Sequence, residues 1–303
     1  MRKFCNALFF ALLAIAGWAQ PANSAQYAPT AEENALLWEI SGKELKEPSY
    51  LFGTIHMIGK EDFFLTEATK ASFGKARQVA FEIDMEDMMD FTKLMPLMMK
   101  AFMANDTKLS DLLSEEDYGL VKEHFESVGL PIMFLERIKP MFLSALGGED
   151  MFNMGGGGDS QVVSYEMELM QMAQQRSMPI EGLETAEYQM SMFDSIPYKA
   201  QAEMLVESIK SGKTDDGQFQ QMVELYKNQD LQGMQAMMAD EASGIGGYED
   251  LLLVRRNRNW IPVMGEMMKL KPTFFAVGAG HLGGDEGVVA LLREAGYEVK
   301  SVR

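Results

Sequence analysis

The strongest constraint on the fold is a unit that occurs twice. Pro48–His56 is a largely apolar, strand-like run ending in Gly53-Thr54-Ile55-His56, and Thr273–His281 is a second one ending in Gly278-Ala279-Gly280-His281. After each comes a short loop, a helical stretch and another apolar run. These are Thr66–Ala76 and Gln78–Asp84 in the first copy, and Glu286–Ala295 and Tyr297–Val302 in the second. A strand, a helix and a further parallel strand form a right-handed crossover. In open α/β sheets, ligand sites lie outside the carboxyl ends of the strands. Each glycine removes a side chain where the backbone turns or another backbone comes close. The chain holds three histidines, and His56 and His281 occupy the same place in the two copies. Two such units packed side by side would bring both imidazoles to one rim, and neutral imidazole is a common metal ligand. The expected fold class is therefore α/β, with a mixed or parallel central sheet built from two related strand–Gly-x-x-His–helix–strand units.

The amino end carries a different signal. Arg2 and Lys3 precede an apolar stretch from Phe4 to Ala19, followed by Ala22-Asn23-Ser24-Ala25. This is the plan of a secretory signal peptide over residues 1–25, with cleavage after Ser24 or Ala25. The rival reading is an uncleaved anchor helix, but the apolar core is short against the roughly 20 residues of a membrane span. No later run is long and apolar enough to cross a bilayer. The only cysteine, Cys5, lies inside the leader. Export without disulfides fits a bacterial periplasmic or secreted protein. Losing Arg2 and Lys3 makes the formal charge of −18 two units more negative. So acidic a protein is repelled by phosphate backbones, which excludes nucleic acid as an expected partner, and it is equally unsuited to anionic membrane surfaces. The expected partner is a peptide or small-molecule substrate; the sequence does not give an oligomeric state. A hydrophobic fraction of 47% supports a packed core.

Residues 26–303 read as a single domain: a first α/β unit (26–84), a mainly helical insertion (85–271) and a second α/β unit (272–303). Leu37–Ile40 and Tyr50–Thr54 flank the Gly42–Pro48 turn as a hairpin. The strand Val79–Ile83 ends in Glu82-Ile83-Asp84, which puts Glu82 and Asp84 on one face. A glutamate at that strand end suits a metal ligand or a general base, and the alternative is the polar end of a strand. Of the 27 methionines, 25 lie between Met85 and Met268. Soft copper ligation competes with flexible packing of helical cores and grooves; no dense Met-x-x-Met array stands out, which favours packing. Helices are expected at Tyr118–Val128, Gln161–Arg176 (with Asp159 a possible N-cap), Tyr198–Ser211, Gly217–Asn228 and up to Arg258. A short strand is expected at Met178–Glu184. Arg255, Arg256 and Arg258 form a basic patch suited to a carboxylate or oxyanion, or to neutralising nearby acids. His124, among Lys122, Glu123 and Glu126, reads as a surface residue.

Leu51-Phe52-Gly53-Thr54-Ile55-His56, Phe81-Glu82-Ile83-Asp84, Gly182-Leu183-Glu184-Thr185, Arg256-Asn257-x-x-Trp260 and Val277-Gly278-Ala279-Gly280-His281-Leu282 together resemble the TraB/GumN family. That family is related to the Tiki proteases and to erythromycin-esterase-like proteins. The resemblance covers essentially the whole chain after the leader. It implies an α/β core with two Gly-x-x-His motifs and a helical insertion, and a metal-dependent hydrolase, most readily a peptidase. Carried over to matching positions, it implies His56, His281 and Glu82 as ligands of a divalent metal ion (Mn, Zn or Co). Glu82, Glu184, Arg256 and Asn257 are the implied catalytic positions, with Glu82 or Glu184 as proton acceptor and Arg256 facing an oxyanion. Two further readings stand beside this one: a peptide-binding or signal-dampening protein without catalysis, and a metal-free esterase-like hydrolase with a histidine as base.

Overall fold

The computed structural model describes residues 34–85, 90–146, 162–214, 218–238 and 248–303. The expected leader, Asp159 and the Gly155–Gly158 turn lie outside these residues. The strands are β1 (Leu37–Ser41), β2 (Ser49–Thr54), β3 (Ile58–Gly59), β4 (Gln78–Ile83), β5 (Val162–Val163), β6 (Ile180–Glu184), β7 (Thr273–Gly278) and β8 (Glu298–Val302). The helices that matter below are α1 (Glu67–Lys75), α2 (Phe91–Lys100), α3 (Glu115–Ser127), α4 (Tyr165–Gln175), α5 (Ala186–Phe193), α6 (Tyr198–Thr214), α7 (Gln218–Lys227), α8 (Leu231–Met238), α9 (Arg255–Leu270) and α10 (Val288–Glu294).

Six strands form one mixed, mostly parallel sheet in the order β6-β4-β7-β2-β1-β8. β6, β4, β7 and β2 run parallel to one another, while β1 is antiparallel to both β2 and β8. The expected hairpin is present as β1–β2, with Trp38 opposite Leu51. At the centre, β2 and β7 are continuously apolar, as strands covered on both faces must be. Leu51, Phe52, Phe274, Phe275, Ala276 and Val277 are all buried there.

The two strand–helix–strand stretches do not sit side by side as closed units. β7 inserts between β2 and β4, while β2 and β1 separate β7 from β8. The interleaving makes β2 and β7 direct neighbours, with Gly53 opposite Val277 and Thr54 opposite Gly278. Both Gly-x-x-His segments therefore leave the sheet at adjacent carboxyl ends. His56 lies two residues beyond β2, and His281 closes a 3₁₀ turn, Ala279–His281, beyond β7.

The stretch 85–271 holds the short strand expected at Met178–Glu184, as Ile180–Glu184, and a second one that the sequence did not signal. It supplies β6, the edge strand beside β4, and β5, which pairs with β3 just past His56. The helix expected from Gln161 starts at Tyr165 and is capped by Ser164, whose side chain accepts from the Met167 amide. Residues 162 and 163 are strand instead, because pairing with Ile58 and Gly59 satisfies their backbone. Tyr165, Leu169, Tyr226, Leu231, Trp260 and Met264 join the sheet's own core. A second apolar cluster gathers Leu109, Val121, Phe125, Leu143, Leu205 and Ile209 away from it. Methionine packs both places, as Met170, Met234 and Met264 in one and Met103 in the other, while Met95, Met98, Met99 and Met133 face solvent.

The two motif glycines do different work. A Cβ on Gly53 would meet Leu282 Cδ1 at 2.5 Å and Ala279 Cα at 3.1 Å, so the first motif's glycine lets the second motif's turn pack against it. Gly53→Ala should therefore destabilise the protein by about 1–3 kcal/mol through overpacking. Gly119, in an exposed turn of α3 with nothing near its missing Cβ, should instead gain about 0.5–1 kcal/mol on replacement by Ala. Urea unfolding of the two variants beside the parent measures both, and equal stability of the Gly53 variant would contradict the close approach.

Candidate active site

Four carboxyl strand ends deliver the site. β4 presents Glu82, β6 presents Glu184, β2 leads to His56 and β7 to His281. Each follows from strand pairing, since parallel neighbours end on the same side of a sheet. Glu82 Oε1 accepts from the Gly278 amide at 2.8 Å, which ties β4 to the second motif. A Cβ on Gly278 would lie 3.3 Å from Glu82 Oε1, 3.6 Å from His281 Cδ2 and 3.9 Å from His56 Nε2. The second glycine is thus the floor of a small cradle on which both histidines and the glutamate converge.

The two imidazoles differ in setting. His281 is buried, stacked obliquely on Trp260 at 4.5 Å between ring centroids. Its Nδ1 donates to Asn257 Oδ1 at 2.6 Å, and Asn257 Nδ2 in turn donates to the Glu286 carbonyl. That leaves His281 Nε2 with its lone pair, which accepts from Arg256 Nη1 at 3.2 Å. Burial pushes the His281 imidazolium down to about 4 against the pull of Glu82, so the ring is neutral near neutral pH. His56 is exposed, and its Nδ1 lies 3.1 Å from Glu166 Oε1. The hydrogen bond to Glu166 raises the His56 imidazole above its ordinary range.

Arg256 knits the carboxylates. It sits in the first turn of α9, just after the π-helical turn Asp250–Val254, and Nη1 also donates back to the Leu252 carbonyl. Its Nε donates to Glu184 Oε1 at 2.8 Å and its Nη2 to Glu82 Oε2 at 2.5 Å, while the guanidinium lies over Trp260. Trp260 Nε1 donates to Glu184 Oε2 at 2.9 Å, so both Glu184 oxygens are taken. Burial pushes the Glu184 carboxyl up. Burial acts on Glu82 in the same sense, but His281, Arg256 and His56 around it and the Gly278 amide outweigh it and hold that carboxyl at about 2. Gln189 of α5 completes the shell, donating to Glu82 Oε2 at 3.3 Å.

The structure thus gathers His56, Glu82, Glu184, Arg256, Asn257 and His281 at one sheet edge. It breaks up the expected basic patch: Arg255 pairs with Asp250 and Arg258 with Glu286 at the surface, leaving Arg256 in the site. Sequence reasoning missed Glu166 and Gln189 as neighbours of these groups, and it quoted Trp260 in a motif without giving it a role. Glu166 carries one local signal, its place in the first turn after the capping Ser164, but nothing in the chain links it to a histidine 110 residues earlier.

Donor chemistry here fits a divalent ion: two imidazoles and a carboxylate, each imidazole tied through Nδ1 to an oxygen, as ligating histidines characteristically are. The present spacing is that of a guanidinium-centred cluster. Among the described residues, no three His, Cys, Asp or Glu groups are already gathered at metal-ligating distances.

Comparison with known proteins gives two findings. The sequence pattern of the TraB/PrgY/gumN family matches residues 36–301. Among curated proteins, the chain is 22% identical to Metalloprotease TIKI2 of Danio rerio over 88% of its own length and 61% of the relative's. It is 22% identical to Metalloprotease TIKI1 of Danio rerio, covering 93% and 66%, and 23% identical to Metalloprotease TIKI1 of Homo sapiens, covering 89% and 62%. The chain thus spans less than two-thirds of each of these relatives. No solved structure matches.

Removing the central cation should expose its structural weight. Arg256→Met leaves Glu82 and Glu184 buried without their counter-charge, at a cost of about 3–5 kcal/mol. Adding Glu184→Gln in the same chain should recover part of that loss. Urea denaturation of the single and double variants reads both, and a single variant as stable as the parent would show that the ion cluster does not hold the site together.

Proposed function

The chain belongs to the TraB/PrgY/gumN family, and from that premise we propose that it is a metal-dependent hydrolase acting on peptides. The observation that carries the reading is the convergence of His56, His281 and Glu82 over Gly278. Relatives named as metalloproteases support the reaction class.

His56, His281 and Glu82 would hold the divalent ion, with Mn, Zn or Co all compatible with nitrogen and oxygen donors. When bound, it supplies a Lewis acid that polarises a carbonyl and makes a bound water more acidic. The protein's own groups divide the remaining work. Glu82 is held ionised, which suits a ligand better than a proton acceptor. Glu184, with both oxygens engaged, positions Arg256. Arg256 brings a fixed positive charge to the edge where an oxyanion would develop. Asn257 holds the His281 ring so that Nε2 keeps its lone pair.

Peptide as the substrate class is supported by an apolar surface near the site. Met95, Met98 and Met99 of α2 and the neighbouring Phe102 are exposed. α2 packs against α5, the helix that delivers Gln189 to Glu82. Methionine makes adaptable apolar contacts of the kind a varied peptide needs. The same surface favours a second reading, capture of a peptide without cleavage. Export through the amino-terminal leader completes the proposal. No helix among the described residues is long and apolar enough to cross a membrane.

Elemental analysis of protein purified without chelator or His tag, beside His56→Ala and His281→Ala, tests the site. The parent should carry or take up near-stoichiometric Mn²⁺, Co²⁺ or Zn²⁺, and both variants should lose it. Cleavage of a library of unstructured peptides rich in apolar residues should fall at least ~10²-fold in either variant. Peptides that bind and are recovered intact with metal present would establish capture instead, and activity that survives thorough chelation would point to metal-free chemistry.

A further inference from the structure

We propose that Glu166 is the positioning residue of the exposed histidine, fixing the His56 ring so that Nε2 faces the Gly278 cradle. The inference rests on the site reading above and adds a residue from the middle of the chain to it. Glu166 Oε1 lies 3.1 Å from His56 Nδ1 and accepts from Thr54 Oγ1 at 2.8 Å. Its Oε2 accepts from Ser164 Oγ at 3.1 Å. One carboxylate therefore holds the last residue of β2, the histidine two positions on, and the cap of its own helix.

The surroundings make this grip rigid. Tyr165, next to Glu166, is fully buried; its hydroxyl donates to the Phe64 carbonyl at 2.8 Å, and its ring meets Phe63 at 4.7 Å between centroids. Val162 and Val163 pair with Gly59 and Ile58, three and two residues past His56. On the other side, Tyr226 Oη donates to the Gly53 carbonyl at 2.9 Å. The loop carrying His56 is thus pinned before, at and after the histidine by residues of the stretch between the two sheet-forming ends. His281 has the same kind of arrangement, with Asn257 on its Nδ1. Both rings are tied through Nδ1, which leaves each Nε2 as the acceptor: that of His56 lies at the cradle, and that of His281 accepts from Arg256 Nη1 beside it. A neutral imidazole held this way carries its proton on Nδ1 and its lone pair on Nε2, which is the tautomer a ligand at the cradle requires. Such an outer carboxylate typically contributes 10–100-fold to metal affinity.

Nitrogen NMR of the histidine side chains tests the assignment without any metal or substrate. The chain has three histidines, so each ring can be identified by single replacement. In metal-free protein, above the titration of His56, that ring should carry its proton on Nδ1. In Glu166→Ala it should revert to the Nε2–H form that free imidazole side chains favour. Glu166→Gln, whose amide oxygen can still accept from Nδ1, should retain the parent tautomer and serves if the alanine variant does not fold. Before metal is added, the His281 signals of Glu166→Ala should match those of the parent, and titration with Zn²⁺ alone should then show about 10–100-fold weaker binding in that variant. A parent His56 already in the Nε2–H form, or an alanine variant with unchanged His56 signals, would overturn the positioning role. If the parent binds no metal while the tautomer pattern holds, the metal-site reading fails and the role of Glu166 stands.

Discussion

The site depends on the in-register parallel pairing of β2 with β7. That pairing sets Gly53 against Val277 and Thr54 against Gly278, so the two Gly-x-x-His segments leave the sheet at adjacent points. It also sets a steric condition: the turn that carries His281 packs directly on Gly53, where any side chain would collide with Leu282 and Ala279. A shift of register by one residue would reverse the facing of every side chain on the strand and part the two histidines. Cores continuous on both faces of β2 and β7 resist such a slip, because Leu51, Phe52, Phe274 and Phe275 have no exposed alternative.

On this frame the protein places a charge cluster that would be costly without full pairing. Arg256, Glu82, Glu184 and His281 are removed from water at the sheet edge. Each polar atom has a partner: the Gly278 amide, Gln189, Trp260, Asn257 and the Leu252 carbonyl close the network. A satisfied buried network rigidifies its neighbourhood, and a partly satisfied one is expensive. The cluster therefore serves two ends: it anchors α9 to the strands, and it leaves His281 neutral beside an ionised Glu82. His56 stands apart from this network in the open, held instead by Glu166, so the two imidazoles reach the cradle by different routes.

Much of this was legible in the chain. The hairpin, the strands that carry Glu82 and Glu184 at their carboxyl ends, and the matching positions of His56 and His281 follow from apolar runs broken by glycine. Those patterns are local, and strands buried on both faces write them plainly. The interleaving of the strands was not legible, since nothing in the local pattern says that β7 inserts between β2 and β4. Nor was the start of α4, where pairing of Val162 and Val163 with β3 overrode the helical pattern that runs on toward Gln161. Of the two readings of Arg255, Arg256 and Arg258, the ion pairs match the neutralising of nearby acids, but the sequence did not say that only Arg256 would do so in the site while Arg255 and Arg258 pair at the surface.

The sequence by itself determined the α/β class, the two motif copies and the residue types available for chemistry at their ends, because strand propensity, glycine placement and histidine scarcity are properties of short stretches. Only the tertiary structure decided which groups meet. Glu166 reaches His56 across 110 positions, Arg256 reaches Glu82 across 174, and Gly278 becomes the floor of the site because a neighbouring strand brings Glu82 to its amide. Such contacts depend on strand order and register over the whole chain, and a hydrogen bond between distant residues leaves no periodicity in either segment from which it could be read.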